Sequence, residues 1–150
     1  GQVIAYEVEE ELANRATANL FDYENVEVLH GNAAMEVVGI AEFDLVVSFA
    51  GVTHVPSLWE TRLVSNARLL LPLTGDDGWG AMILAERAQQ GYNSVTLGKC
   101  RFYPCSGARD AVLSRRISAL FSNTKNLNEW HFQMIGKDKK MHIEEVTVSL

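Results

Sequence analysis

"VIAYEVEEELANRA", residues 3–16, decides how the rest of the chain is read. Four apolar residues, Val3 to Tyr6, meet a lone acid at Glu7, and the pattern then changes period. A short apolar run of this kind reads as a buried strand over 3–6. From residue 9 to residue 20 the spacing is helical, with Leu12, Ala13, Ala16 and Leu20 on one face. Glu9, Glu10 and Glu11 fall in the first turn, where the helix dipole favours anions. Glu7 therefore stands at a strand-to-helix junction.

Downstream the same grammar repeats. "NVEVLHG", 25–31, is a second short strand ending at Gly31. "FDLVVSFAG", 43–51, is a third, and it runs into a turn of small residues. "PSLWETRLVSN", 56–66, predicts a short helix with Pro56 at its start. "ARLLLPLTG", 67–75, is a fourth buried strand. Strands that are apolar throughout, rather than alternating, belong to a parallel sheet covered on both faces, which makes the fold class α/β.

After residue 75 the pattern changes. "GAMILAERA", 80–88, and "SVTLGKCRFY", 94–103, flank "QQGYN" and predict a β-hairpin. Residues 107–121 return to helix, with Val112, Leu113, Ile117, Leu120 and Phe121 on one side and Ser106 as N-cap. The tail is polar until "HIEEVTVSL", 142–150, a last candidate strand.

The bulk numbers suit a single domain over 1–150. The chain is 47% hydrophobic and 21% charged. At this length it can bury roughly two thirds of its unfolded surface. A net charge of -6 argues against a nucleic-acid partner. No apolar stretch approaches the ~20 residues of a membrane span, so no membrane partner is expected. Cys100 and Cys105 form no Cys-x-x-Cys pair and read as reduced thiols of a cytoplasmic protein. His30, His54, His131 and His142 lack metal-ligand spacing, so no metal is expected.

In an open α/β sheet, ligands sit at the carboxyl ends of the strands. Those ends here carry Glu7, then Gly31, Asn32 and Ala33, then Ala50, Gly51, Val52, Thr53 and His54, then Thr74 and Gly75. An acid at such an end can accept both hydroxyls of a ribose. It can equally be a solvated helix-start acid. Asn32 can accept from an adenine amino group, or can be a turn residue that tolerates strained backbone angles.

"GQVIAYEVEEELANRATANLFDYENVEVLHGNAA", "FDLVVSFAGVTHVPSLWETRLVSNARLLLPLT" and "GARD" together resemble the core of an S-adenosylmethionine-dependent methyltransferase. The nearest group is the protein-L-isoaspartate O-methyltransferase family. The resemblance covers about residues 1–121. It implies a Rossmann-like methyltransferase three-layer sandwich: a mostly parallel sheet with a C-terminal antiparallel hairpin. It also implies S-adenosylmethionine as cofactor. By position, Glu7 would bind its ribose, Asn32 and Ala33 would hold the adenine, Gly31 would belong to the same cofactor site, and Ala50 and Gly51 would line the floor beneath the methyl donor.

The departures from the family pattern have physical consequences. The family's glycine-rich loop and first strand lie upstream of residues like these, so the domain reads as N-terminally truncated with its first strand missing. Asn32 stands where the family commonly has Asp, and it lacks the charge that strengthens such a bond. Ser65 and Asn66 replace a common Gly pair. A missing central strand leaves two rows of backbone groups unpaired, each costing ~1–3 kcal/mol if buried. A homodimer, or the tail "HIEEVTVSL", would cover that gap.

Methyl transfer needs positioning more than a strong base, and a carboxylate acceptor is already ionised near pH 7. Both points fit the function that the family resemblance implies: O-methylation of a protein carboxylate on a protein or peptide substrate. Thr53 and His54 are the catalytic candidates, with His54 orienting an acceptor or acting as a weak base. Trp59 and Trp79 read as packing residues or as a substrate cage, and Arg109 has no assigned role. Two alternatives fit the same residues: a non-catalytic truncated domain, and a fragment of an NAD-dependent dehydrogenase, whose sheet also places an acid at a ribose.

Overall fold

Apolar runs bounded by turn residues become strands, and the computed structural model describes residues 1–39, 42–89, 91–123, 130–134 and 141–145. The chain divides into two compact units, Gly1–Gly39 and Ile40–Leu150.

The first unit is a β-α-β element. β1 (Val3–Glu7) and β2 (Val26–His30) are parallel, in register from Val3↔Val26 to Glu7↔His30. Parallel neighbours need a crossover, and α1 (Glu10–Asn19) supplies it. Its start has no side-chain cap, while Glu10 and Glu11 occupy the first turn. The inward stripe is Ala13, Ala16 and Leu20, and only Ala13 of these is fully buried. Leu12, expected on that face, is 45% exposed. A stripe spaced i, i+3, i+7 from Ala13 leaves residue 12 outside it.

In the second unit the strands are β3 (Phe43–Val47), β4 (Leu63–Thr74), β5 (Trp79–Arg87), β6 (Tyr92–Arg101), β7 (Trp130–Met134) and β8 (Met141–Glu145). Among the described residues they form one sheet in that order. Only β3 and β4 are parallel, and every later pair is antiparallel, so the sheet is mixed. The expected hairpin is β5–β6, paired from Trp79↔Arg101 to Arg87↔Tyr92.

Three local expectations change. The predicted helix over 56–66 shrinks to α2 (Ser57–Glu60), and residues 63–66 open β4 instead. A bulge makes this fit: pairing jumps from Phe43↔Leu63 to Leu45↔Arg68, and Asn66 takes φ 62. Asn is among the few residues that visit the left-handed region, so it does there what a glycine would. The last helix, α3, runs Ala111–Asn123, and its N-cap is Asp110, not Ser106. Asp110 Oδ1 accepts the amides of Val112 and Leu113, both at 2.9 Å. Val112, expected on the inward side, is exposed, and Ser114 is buried beside Ile117 on the helix's inward face. Finally, 130–134 is a strand with no counterpart in the sequence reading. Of the expected strand 142–150, residues up to Glu145 pair with β7 rather than with β1 or β3, and 146–150 lie outside the described residues.

The core of this unit is Leu69, Leu71 and Leu73 of β4, Ala81, Ile83 and Ala85 of β5, and Ile117 of α3, all buried. At the start of β4, Arg87 donates to the carbonyls of Glu60 and Leu63, and Tyr92 Oη donates to Glu60 Oε1 at 3.3 Å. Burial, reinforced by the Glu60 charge, pushes the Tyr92 phenol well above its usual range. The sheet is therefore pinned at that end, which leaves the carboxyl ends of β3 and β4 as the end that carries the candidate residues.

Candidate functional site

Parallel pairing brings Glu7 to the end of β1 beside His30, the last residue of β2. The chain then turns, and Gly31 donates its amide to the Glu7 carbonyl at 2.9 Å. Glu7, Gly31 and Asn32 thus occupy one edge of the first unit because two in-register strands end together. The Glu7 carboxylate is half-buried, and its Oε1 accepts the Glu9 amide at 3.0 Å. That bond fixes the side chain at the helix entrance and commits one oxygen.

Asn32 is also engaged locally. Its Oδ1 accepts the Ala34 amide at 3.0 Å, an Asx turn, and its carbonyl accepts the amides of Met35 and Glu36. A carboxamide oxygen has two lone pairs, so an adenine donor would share this one with the turn. Tyr6, which sequence reasoning passed over, shapes the same edge. Its Oη accepts the Val38 amide at 2.8 Å and its ring lies beside Gly31.

In the second unit Ala50, Gly51, Thr53 and His54 follow β3. Ser48 ties the turn, donating to the Ala50 carbonyl at 2.8 Å and accepting the Ala50 amide at 3.2 Å. Gly51 and Val52 then behave as a miniature strand between two neighbours. Val52 bridges Leu73, while Gly51 bridges Pro104. The Gly51 amide donates to Tyr103, and the Gly51 carbonyl accepts from Cys105. The position needs glycine: a Cβ there would overlap the Thr74 hydroxyl and lie 3.1 Å from its Cβ and Cγ2.

Thr53 is fully buried. Its hydroxyl accepts the Asp110 amide at 2.8 Å, reaches the Ala108 carbonyl at 3.3 Å, and lies 3.0 Å from His54 Nδ1. Held in that way, Thr53 ties the loop to the entrance of α3 and orients the half-buried His54 ring.

The most connected side chain of this end is Arg109. Its guanidinium donates to the carbonyls of Gly51 (3.2 Å), Thr74 (2.8 Å) and Gly75 (2.8 Å), to Thr74 Oγ1 (2.9 Å), and to Ser114 Oγ. None of these acceptors is charged. Burial lowers the guanidinium's proton affinity, and the nearby Asp76 charge works against that. Burial also pushes the Cys105 thiol up, opposed by Arg109, and lifts the Cys100 thiol to about 11. Neither cysteine is poised as a nucleophile at neutral pH.

A β-α-β element ending in an acid beside a Gly-Asn turn, and a parallel strand pair ending in a glycine-bearing loop, define a Rossmann-like α/β protein. Comparison with known proteins narrows that class. The family model described as protein-L-isoaspartate(D-aspartate) O-methyltransferase matches residues 1–110. A Nitrobacter winogradskyi protein-L-isoaspartate O-methyltransferase is 33% identical over 106 residues, covering 69% of this chain and 48% of the relative. Protein-L-isoaspartate O-methyltransferase 2 of Archaeoglobus fulgidus is 30% identical over 110 residues, covering 71% of this chain and 49% of the relative. A solved protein-L-isoaspartate O-methyltransferase superposes with TM-score 0.66 at 22% identity, covering 77% of this chain and 37% of that one. A Plasmodium falciparum protein assigned as a β-aspartate methyltransferase, solved with S-adenosyl-L-homocysteine, gives 0.57 at 19% identity, covering 71% of this chain and 53% of that one. The chain belongs to the protein-L-isoaspartate(D-aspartate) O-methyltransferase family. It spans about half the length of the curated relatives it matches.

Proposed function

We propose that this chain carries the adenosyl-binding part of an S-adenosylmethionine-dependent O-methyltransferase acting on isoaspartyl carboxyl groups of proteins or peptides. The observation that carries the reading is the Glu7 carboxylate, fixed through one oxygen at the end of β1 beside the Gly31–Asn32 turn. A half-buried acid held in this way suits the two hydroxyls of a ribose. Gly31 gives the turn a surface without a side chain, and Asn32 and Ala33 would face the adenine. Ala50 and Gly51 would form the floor on the methyl-donor side. When bound, S-adenosylmethionine supplies an electrophilic methyl group for an ionised carboxylate. His54, oriented by Thr53, would help to orient the acceptor carboxylate.

Three further parts of the proposal concern the molecule as a whole. Residues 1–150 form a single methyltransferase-like domain. Among the described residues β1 pairs only with β2 and β3 only with β4, so each keeps one open edge, and a homodimer is one arrangement that would close them. Cytoplasmic residence fits the two free cysteines, and no helix among the described residues is long and apolar enough to cross a membrane. A non-catalytic reading draws support from the half-length match to the relatives.

Calorimetry separates these readings. S-adenosylhomocysteine binding without NAD binding supports the proposal, NAD binding alone replaces it with a dehydrogenase, and silence from both favours the non-catalytic reading. Glu7→Gln should weaken S-adenosylhomocysteine about tenfold or more, the scale of one hydrogen bond to a charged group. Unchanged affinity in that variant removes Glu7 from the site.

A further inference from the structure

The structure assigns Arg109 a role the family reading leaves blank: it is the positioning residue for the loop after β3. This assignment takes its functional meaning from the proposal that Ala50 and Gly51 face the cofactor. Segment 102–110 lies outside helix and strand apart from the single bridge at Pro104. It holds one side of the loop through Gly51 to Tyr103, Cys105 to Gly51, and Thr53 to Ala108. Those backbone bonds join two irregular segments to each other. The loop meets the sheet through Val52, whose amide donates to the Pro72 carbonyl at 2.9 Å and whose carbonyl accepts the Thr74 amide at 3.0 Å.

Arg109 adds a second tie, made by a side chain from the other segment. From the end of that segment its guanidinium reaches the carbonyl of Gly51 in the loop and the carbonyls of Thr74 and Gly75 at the end of β4. It also reaches Ser114 in the first turns of α3. One planar fork therefore joins loop, strand end and helix. A lysine carries the same charge but cannot present parallel donors to several acceptors. The fit is close: the Gly51 backbone packs against the Thr74 side chain, and a Cβ on Gly75 would overlap the Ser118 hydroxyl. A shift of the loop by part of an ångström would break several of these contacts together.

The test is hydrogen exchange on the full chain, comparing wild type with Arg109→Ala and Arg109→Lys. In Arg109→Ala the amides of Gly51, Thr74 and Cys105 should exchange about tenfold faster or more, the scale of one charge-assisted bond. Amides of Ile83 and Ala85 in β5 should keep their rates. Millimolar guanidinium, with sodium chloride as control, should restore protection to the alanine variant, which a merely structural loss of packing would not allow. Arg109→Lys should fall between the two, and it replaces the alanine variant if that chain does not fold. A uniform rise across β4 and β5, no change at Gly51, Thr74 and Cys105, or unfolding of both variants overturns the assignment. Calorimetry with S-adenosylhomocysteine on the wild type addresses the cofactor reading separately: no binding with the local exchange pattern intact defeats that reading and leaves the Arg109 tie standing.

Discussion

Gly51 shows how one missing side chain organises a site. Its backbone lies against the Thr74 side chain, which is fully buried and has no room to retreat. The Thr74 hydroxyl is at the same time an acceptor for Arg109, so a rotamer change there would release a guanidinium bond. Gly51→Ala should therefore cost about 1–3 kcal/mol, the usual penalty for overpacking a rigid site. Urea denaturation measures it. Adding Thr74→Ala should recover part of the loss, because the overlapping hydroxyl goes with it; a double variant no more stable than the sum of its parts would place the strain elsewhere. Glu7 and the Gly31–Asn32 turn were legible in the sequence because an acid or a Gly-Asn pair after an apolar run changes local physics visibly. Arg109 was not. Its partners are mostly backbone carbonyls, at sequence separations of 58, 35 and 34 residues. Every residue type except for its side chain presents the same carbonyl, so such partners leave no trace in composition or spacing.

The elements were legible where an apolar run met a turn residue, and less so where two signals competed. "WETRLVSN" carries a helical spacing of apolar residues, yet only Ser57–Glu60 is helical and Leu63 onward belongs to β4. The sheet overrides local preference there because β4 continues through the bulge at Asn66 to lay Leu69, Leu71 and Leu73 into the core. At α3 the competition lay between two good caps. Ser106 precedes Gly107, whose φ of 83 breaks the helical path, so the helix waits for Asp110. Asp110→Ala should cost about 0.5–2 kcal/mol in thermal or urea unfolding, Asp110→Ser much less, and Ser106→Ala little. Equal losses at 106 and 110 would return the cap to Ser106. Because Asp110 also donates its amide to Thr53, the alanine variant should leave the loop contact in place: it removes the carboxylate and keeps the backbone.

At the scale of the molecule, the two units have very different means of holding themselves together. Gly1–Gly39 buries only Ala13 and Val37 among its apolar side chains, while Val3, Val8, Leu12, Phe21, Tyr23, Met35 and Val38 are exposed. Stretches below about 40 residues seldom bury enough to fold without help. Each large apolar side chain left in water forgoes about 1.5–3 kcal/mol of burial. The second unit buries Leu63, Leu69, Leu71, Leu73, Ile83 and Ile117, and its strand β4 is paired along both edges. Local opening follows such differences. The amides of Val3 and Gly31, bonded to Asn25 and Glu7, should exchange about a hundredfold faster than those of Ser48 and Thr74, bonded to Leu70 and Val52. Urea should narrow the gap, because opening the larger unit exposes more surface and its free energy falls more steeply. If Gly31 and Thr74 instead report one shared opening free energy with one denaturant slope, the two units unfold as a single cooperative body. In that case the acid at the end of β1 would be held by the stability of the whole chain and not by its own β-α-β element.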